Sequence, residues 1–208
     1  MPESAVALMA QYPQEGKVKT RLAAEIGSHR ARSIYQKLLQ YAADMMAGLN
    51  KDDFLRAVFV HPPEMHDKFK SLFPQFDIYY PLEGEEPGVR LKNALRRLLS
   101  EPRIEKAILI GTDSPGIDAG TIQRCADLLD ESDLVLGPTY DGGYYLLGCK
   151  AVFEQIFAGI EWHGSDVFEK TIQTARKQGL KVDLLPELHD LDDLEDLEYF
   201  ESFLSDLE

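Results

Sequence analysis

Strand-like and helix-like segments alternate along most of this 208-residue chain, which predicts an α/β fold: one doubly wound domain, residues 1–208, around a mostly parallel mixed sheet. Two observations carry the prediction. The run Ala107-Ile108-Leu109-Ile110 is apolar without alternation, the pattern of a central parallel strand covered on both faces. From Ser28 to about Leu49, the residues Ile34, Leu38, Tyr41, Met45 and Leu49 fall at helical spacing, as a helix laid on such a sheet requires.

In order, Ala5 to Met9 reads as a short buried strand ahead of that helix. Phe54 to Val60 is strand-like and stops at Pro62-Pro63, a helical piece runs to about Leu72, and Asp77 to Tyr80 is short and β-rich. The loop Glu83-Gly84-Glu85-Glu86-Pro87-Gly88 precedes a helix carrying Leu91, Ala94, Leu95, Leu98 and Leu99. After the central strand come a helix from about Gly120 to Leu129 and strands at Leu134 to Leu136 and Tyr144 to Leu147. Helical stretches at Val152 to Phe157 and Ser165 to Gln178 then lead to a last strand near Val182 to Leu185. The tail repeats Leu194, Leu197, Phe200 or Glu201, and Leu204, an amphipathic helix with an acidic outer face.

The loop after the first strand places Lys17, Lys19 and Arg21 within five positions of a chain whose formal net charge is −14. Open α/β sheets bind ligands beyond the carboxyl ends of their strands, so this cluster is an expected phosphate site. Pro13 and Gly16 bend the chain so that backbone N–H groups can turn inward as an anion nest, and an extended course would project Lys19 and Arg21 together. Three cations in a run also describe an ordinary solvated face. Neither a G-x-G-x-x-G nor a phosphate-loop signature is present.

Carboxylates stand at two other predicted strand ends. Asp113 lies in Gly111-Thr112-Asp113-Ser114-Pro115-Gly116, directly after the central strand. It suits either a turn or helix cap, or a magnesium ligand, since Mg²⁺ takes one or two carboxylates and completes its shell with water and phosphate. His189-Asp190-Leu191-Asp192-Asp193 follows the last strand, and alternation turns Asp190 and Asp192 to one side. Asp192 or Asp193 can equally cap the helix that follows. Between these blocks, Asp141-Gly142-Gly143 reads as a turn whose glycines leave room for a ligand, with Asp141 and the hydroxyls of Tyr144 and Tyr145 at a pocket wall. Trp162 ends a separate loop and is either core packing or an aromatic wall.

Composition bounds the partners. Hydrophobic content of 44% and charged content of 28% are ordinary for a soluble globular protein. No apolar run approaches the ~20 residues that span a bilayer, and the N-terminus lacks a signal-peptide pattern, so the expected location is cytoplasmic. From Asp190 to Glu208 there are nine acids and no base, leaving 27 acids against 22 cations before it. That surface argues against nucleic acid or an anionic membrane as a partner. Cys125 and Cys149 lack metal spacing and read as buried thiols.

Together these blocks resemble a bacterial and archaeal family of transferases, DUF2064, with the glycosyltransferase-A fold. The resemblance rests on Pro13-x-x-Gly16-Lys17-Val18-Lys19-Thr20-Arg21-Leu22, Gly88-x-Arg90-Leu91, Gly111 to Gly116, Gly137-Pro138-x-x-Asp141-Gly142-Gly143-Tyr144-Tyr145-Leu146-Leu147-Gly148, Trp162 and Asp190-Leu191-Asp192-x-x-x-Asp196-Leu197. It implies a nucleotide-diphospho-sugar transferase fold. Position by position, it implies Gly16, Lys17, Lys19, Arg21 and Arg90 at nucleotide phosphates, and Asp113, Asp190 and Asp192 at Mg²⁺ or Mn²⁺. Asp141, Gly142, Gly143, Tyr144 and Trp162 would then line the acceptor or sugar side. Asp113, Lys19 and Arg21 would carry the catalysis.

Glycosyl transfer from a nucleotide-diphospho-sugar to a small acceptor is the reaction favoured by the family's naming. Nucleotidyl transfer from a triphosphate stands beside it, because Asp113-Ser114-Pro115 has one acid, as in the Asp-x-Pro of nucleotidyltransferases. Lys19-Thr20-Arg21-Leu22 also resembles the Lys-Ser-Arg-Leu of guanylyltransferases that activate phospholactate. A nucleotide-binding module without catalysis is the third reading.

Overall fold

Among the described residues, seven strands form one mixed sheet in the order β3-β2-β1-β4-β6-β5-β7. This computed structural model describes residues 2–162 and 164–200. The first half runs β1 (Ser4–Gln11), α1 (Thr20–Ile26), α2 (Ser28–Ala47), β2 (Phe54–His61), α3 (His66–Leu72), β3 (Ile78–Pro81), α4 (Pro87–Leu99) and β4 (Lys106–Ile110). The second runs α5 (Ala119–Glu131), β5 (Leu134–Pro138), β6 (Tyr144–Cys149), α6 (Val167–Lys177), β7 (Val182–Leu184) and α7 (Leu194–Tyr199). β1 pairs in parallel with both β2 and β4, while β6 is antiparallel to β4 and β5.

The apolar runs sort by parity, as a pleated strand requires. Val6, Leu8, Ile108 and Ile110 face α2 and α5, meeting Leu39, Met46, Ile122 and Leu129. Ala5, Ala7, Ala107 and Leu109 face α4 and α6, meeting Leu95, Leu98, Ile172 and Ala175. Helices thus cover both faces, and β1 and β4 have no exposed side in between, which is why neither run alternates. Cys125 and Cys149 are free and buried in these two layers.

The chain leaves β1 toward β2 and β3, then returns to lay β4 against the other side of β1. That reversal makes the carboxyl ends of β1 and β4 the switch point where open α/β sheets form their ligand crevice. The cation loop leaves β1 there and the Asp113 loop leaves β4 there.

Two segments depart from the sequence expectation. Thr20–Ile26 is helical, not extended: seven residues are too few for a visible period, and Gly27 at φ +87 ends the turn and starts α2. Of the stretch Val152 to Phe157, only Glu154–Phe157 coils, as a 3-10 turn. The described tail helix is Leu194–Tyr199, capped by Asp193 in a reciprocal box with Asp196; Leu204 lies outside the described residues.

Candidate functional site

Lys19 is the N-cap of α1 and adopts a left-handed backbone, φ 46 and ψ 51, which a non-glycine residue takes only under constraint from its surroundings. Its side chain is 4% exposed, and Nζ lies 2.5 Å from Asp113 Oδ1 and 2.9 Å from Asp192 Oδ1. Burial works against the charged ammonium, but Asp113 and then Asp192 outweigh it and hold Lys19 above the ordinary lysine range. Arg21, in the first turn of α1, is 66% exposed and donates to Asp193 Oδ2 at 2.7 Å. Lys19 and Arg21 therefore diverge, one sunk among carboxylates and one at the rim. Lys17 is exposed, and its N–H is used within the turn, donating to Gln14 O at 3.0 Å. Gly16 supplies the turn with φ +73.

The two distant carboxylate blocks meet because Leu191 is fully buried with Leu22, Ala31, Ile34 and Leu38 and donates its N–H to Asp113 O at 2.8 Å. On either side of that anchor, Asp192 reaches Lys19 and Asp190 accepts from Ser114 Oγ. Burial pushes the Asp190 carboxyl up to about 7 against the lowering effect of Ser114, and Asp113, Asp192 and Asp141 push it the same way. Asp113 is not a helix cap; Asp118 caps α5, accepting from Thr121 N at 2.7 Å.

This donor set suits a hard divalent cation. Asp113 and Asp192 already converge one oxygen each on a single cation, and Asp190 lies close enough to feel both. Among the described residues no three His, Cys, Asp or Glu side chains group tightly enough to hold a metal by themselves. An ion at Asp113 and Asp192 would therefore complete its shell with phosphate oxygens and water, the habit of Mg²⁺.

Two cavities adjoin here and share Met9, Arg21 and Asp192. One, of about 380 Å³, is walled by Lys17, Lys19, Arg21, Arg90, His61 and Asp113. Arg90, on α4, donates from Nε to Gly84 O at 2.8 Å and brings Nη2 within 3.5 Å of His61 Nε2. Burial and then the Arg90 charge lower the His61 pKa, which favours the neutral ring. The sequence reading missed His61; its signal was its place as the last residue of β2, just before Pro62-Pro63, where the strand next to β1 opens into the crevice.

The other cavity, of about 590 Å³, is walled by Leu91, Asp141, Gly143, Tyr144, Trp162 and Ser165. Thr139 Oγ1 and Gly143 N both donate to Asp141 Oδ1, at 2.6 and 3.0 Å, fixing that carboxylate at the wall. Gly142 serves the turn itself: φ is +89, and a Cβ there would fall 1.9 Å from Ser165 O. The tyrosine hydroxyls expected at the wall turn away. Tyr144 Oη is buried, with burial raising the phenol pKa and Thr171 acting in the opposite sense, and Tyr145 Oη donates to Pro186 O at 3.0 Å. Tyr144 contributes its ring. Trp162 lies against the Gly88 backbone, where a Cβ would come within 2.3 Å of the indole, so both readings of this tryptophan hold: it packs, and it faces the cavity.

Among the described residues no helix is long and apolar enough to cross a membrane. No curated protein matches the chain. The family described as "Uncharacterized protein conserved in bacteria (DUF2064)" matches residues 44–164. A nucleotide-diphospho-sugar transferase by designation, from Desulfovibrio desulfuricans G20, is 30% identical, with 96% of this chain and 87% of that one covered at a TM-score of 0.89. The 4-diphosphocytidyl-2C-methyl-D-erythritol synthase of Anaerococcus prevotii DSM 20548 shares the fold at 12% identity, covering 98% and 99% at a TM-score of 0.62. So does Rv0371c of Mycobacterium tuberculosis H37Rv in complex with manganese, at 16% identity, covering 94% and 96% at 0.51. With that family matched over more than half of this chain and the Desulfovibrio desulfuricans structure superposing on nearly all of it, this chain belongs to the DUF2064 family and has the nucleotide-diphospho-sugar transferase fold.

Proposed function

We propose that this protein is a metal-dependent transferase that takes a nucleotide-activated substrate, and that its reaction is glycosyl transfer from a nucleotide-diphospho-sugar to a small acceptor. The observation that carries the proposal is the pair of adjoining cavities. The smaller concentrates Lys17, Lys19, Arg21 and Arg90, suited to phosphate oxygens. The larger has the indole of Trp162, the ring of Tyr144 and the fixed carboxylate of Asp141, suited to a hydroxyl-bearing ring. They join at Arg21 and Asp192, where a bond between donor and acceptor would be exchanged.

Mg²⁺ or Mn²⁺, held by Asp113 and Asp192 with Asp190 beside them, would supply positive charge to the diphosphate oxygens. Lys19 and Arg21 add positive charge where negative charge builds on the departing group, an electrostatic stabilisation of the transition state. Asp141, held from one side by Thr139 and Gly143, leaves its second oxygen to orient an acceptor hydroxyl. The name of the Desulfovibrio desulfuricans relative supports glycosyl transfer.

Nucleotidyl transfer is the second reading. Asp113 is the one acid of the Asp113-Ser114-Pro115 segment, and its neighbour Ser114 is buried and engaged with Asp190. Product analysis separates the two. Incubation with Mg²⁺ and a panel of nucleotide sugars and nucleoside triphosphates should release nucleoside diphosphate from a sugar donor; pyrophosphate from a triphosphate would replace the first reading by the second. Metal-dependent binding with no turnover of either would leave a binding module.

A further inference from the structure

Lys19 stands where a divalent cation would have to act. Its ammonium touches Asp113 Oδ1 and Asp192 Oδ1, one oxygen of each carboxylate that would hold the ion, and it is nearly excluded from solvent. The fold holds it there through a left-handed backbone at a non-glycine residue, φ 46, although that conformation is unfavourable. Arg21 differs: it is mostly exposed, is tied to Asp193, and can swing to a phosphate without uncovering anything.

The two cations cannot share the oxygens comfortably. A doubly charged ion on Asp113 and Asp192 would stand within a few ångströms of the buried ammonium, close enough for the like charges to repel. The adjoining cavity offers Lys19 another place, since its side chain already forms part of that wall together with Lys17 and Arg90. We propose that Lys19 is a displaceable resident cation: it neutralises Asp113 and Asp192 in the metal-free protein, is expelled from them when a divalent ion binds, and then serves the phosphate cavity. Resting on the metal reading above, this adds a coupling: the ion raises phosphate affinity by releasing Lys19 as well as by direct contact, and phosphate raises ion affinity by the same factor.

The test follows Lys19 itself in the full-length protein. A brief acetic anhydride pulse, read by mass spectrometry, should label Lys19 about tenfold more slowly than exposed Lys17 without metal, the ratio for a pair open a tenth of the time. Saturating Mg²⁺ should bring the two rates together without changing Lys17. In parallel, Mn²⁺ binding read by electron paramagnetic resonance should tighten roughly tenfold in Lys19→Met, and the enhancement of pyrophosphate binding by Mn²⁺ should shrink in that variant. Mn²⁺ at saturation in the wild-type protein with Lys19 still slowly labelled would overturn the displacement while leaving the metal site intact. No Mn²⁺ binding at millimolar concentration would overturn both.

Discussion

Arg56 and Lys19 are equally buried cations of one sheet, each with a side chain 4% exposed, yet they are partnered in opposite ways. Arg56 lies near the start of β2 and is matched to one carboxylate: Nε and Nη2 donate to the two oxygens of Asp77 at 2.9 and 2.6 Å, and Nη1 donates to Ala47 O at 3.0 Å. All three guanidinium nitrogens donate, and the exposed Lys51 Nζ stands 3.9 Å from Asp77 Oδ1 as a further cation. Lys19, at the carboxyl edge, is a point charge between two carboxylates with Asp190 close behind, and it opens on a cavity. A pair built for stability closes its own accounts of charge and geometry; an edge with surplus carboxylate stays open to a further cation.

The comparison breaks if the two acids respond alike to removal. Asp77→Ala leaves the Arg56 guanidinium buried without its partner and should cost about 3 kcal/mol in urea unfolding, with nucleotide binding unchanged. Asp113→Asn should do the reverse. Lys19 keeps Asp192 as a partner, so the unfolding midpoint should barely move, while Mg²⁺-dependent nucleotide binding, measured by calorimetry, should weaken at least ~10-fold. Equal stability losses would make Lys19 with its carboxylates a structural cluster like Arg56–Asp77.

A second test concerns the wall of the larger cavity. Gly142→Ala places a methyl group against Ser165 O and demands φ +89 of an alanine, so it should cost about 2 kcal/mol or more and push the 139–143 turn away from the start of α6. Its effect on a transferase reaction should fall on the acceptor's KM. A change confined to the nucleotide's KM would mean that the larger cavity is not the acceptor side.

How much of this was legible in the sequence depends on what each residue answers to. Residues 107–110 were legible because burial on both faces removes alternation, and the long helix after Ser28 because one buried face imposes a helical period. The acids at 113, 190 and 192 were legible as strand-end positions, but their meeting depends on Leu191 N donating to Asp113 O across more than a third of the sequence, which no local pattern encodes. The divergence of Lys19 and Arg21 was hidden for the same reason. It turns on one left-handed residue and a seven-residue helix, both fixed by the packing of Leu22 and the carboxylates around Lys19. His61 was passed over, one residue beyond the strand read at Phe54 to Val60, since its significance comes only from β2 lying beside β1.

Acid sharpens the contrast by a smaller margin. Hydrogen bonds from Arg56, outweighing burial, hold Asp77 below the usual carboxylate range. A depressed folded-state pKa contributes stability that is present above the unfolded value near 4 and is lost as pH falls through the folded value. The urea midpoint of the wild-type protein should therefore drop more steeply between about pH 4 and pH 2 than that of Asp77→Ala. Parallel curves would mean that the pair contributes no net stability.

The smallest effect belongs to a third cation, Arg90, whose hydrogen-bond partners among the described residues are the carbonyl of Gly84 and the imidazole of His61, with no carboxylate between them. If surplus acid marks the metal side, a cation held only by neutral groups is the one left free to meet a phosphate. His61, kept neutral, can accept from Arg90 through Nε2 and so bias the guanidinium toward the cavity. His61→Ala should weaken pyrophosphate binding about threefold, the scale of one modest hydrogen bond, and His61→Gln, which restores an acceptor, should recover most of it. Arg90→Ala should cost more than either, since it removes the charge itself. If His61→Ala leaves pyrophosphate binding unchanged while Arg90→Ala weakens it, the Gly84 carbonyl alone aims Arg90, and His61 merely fills the end of β2.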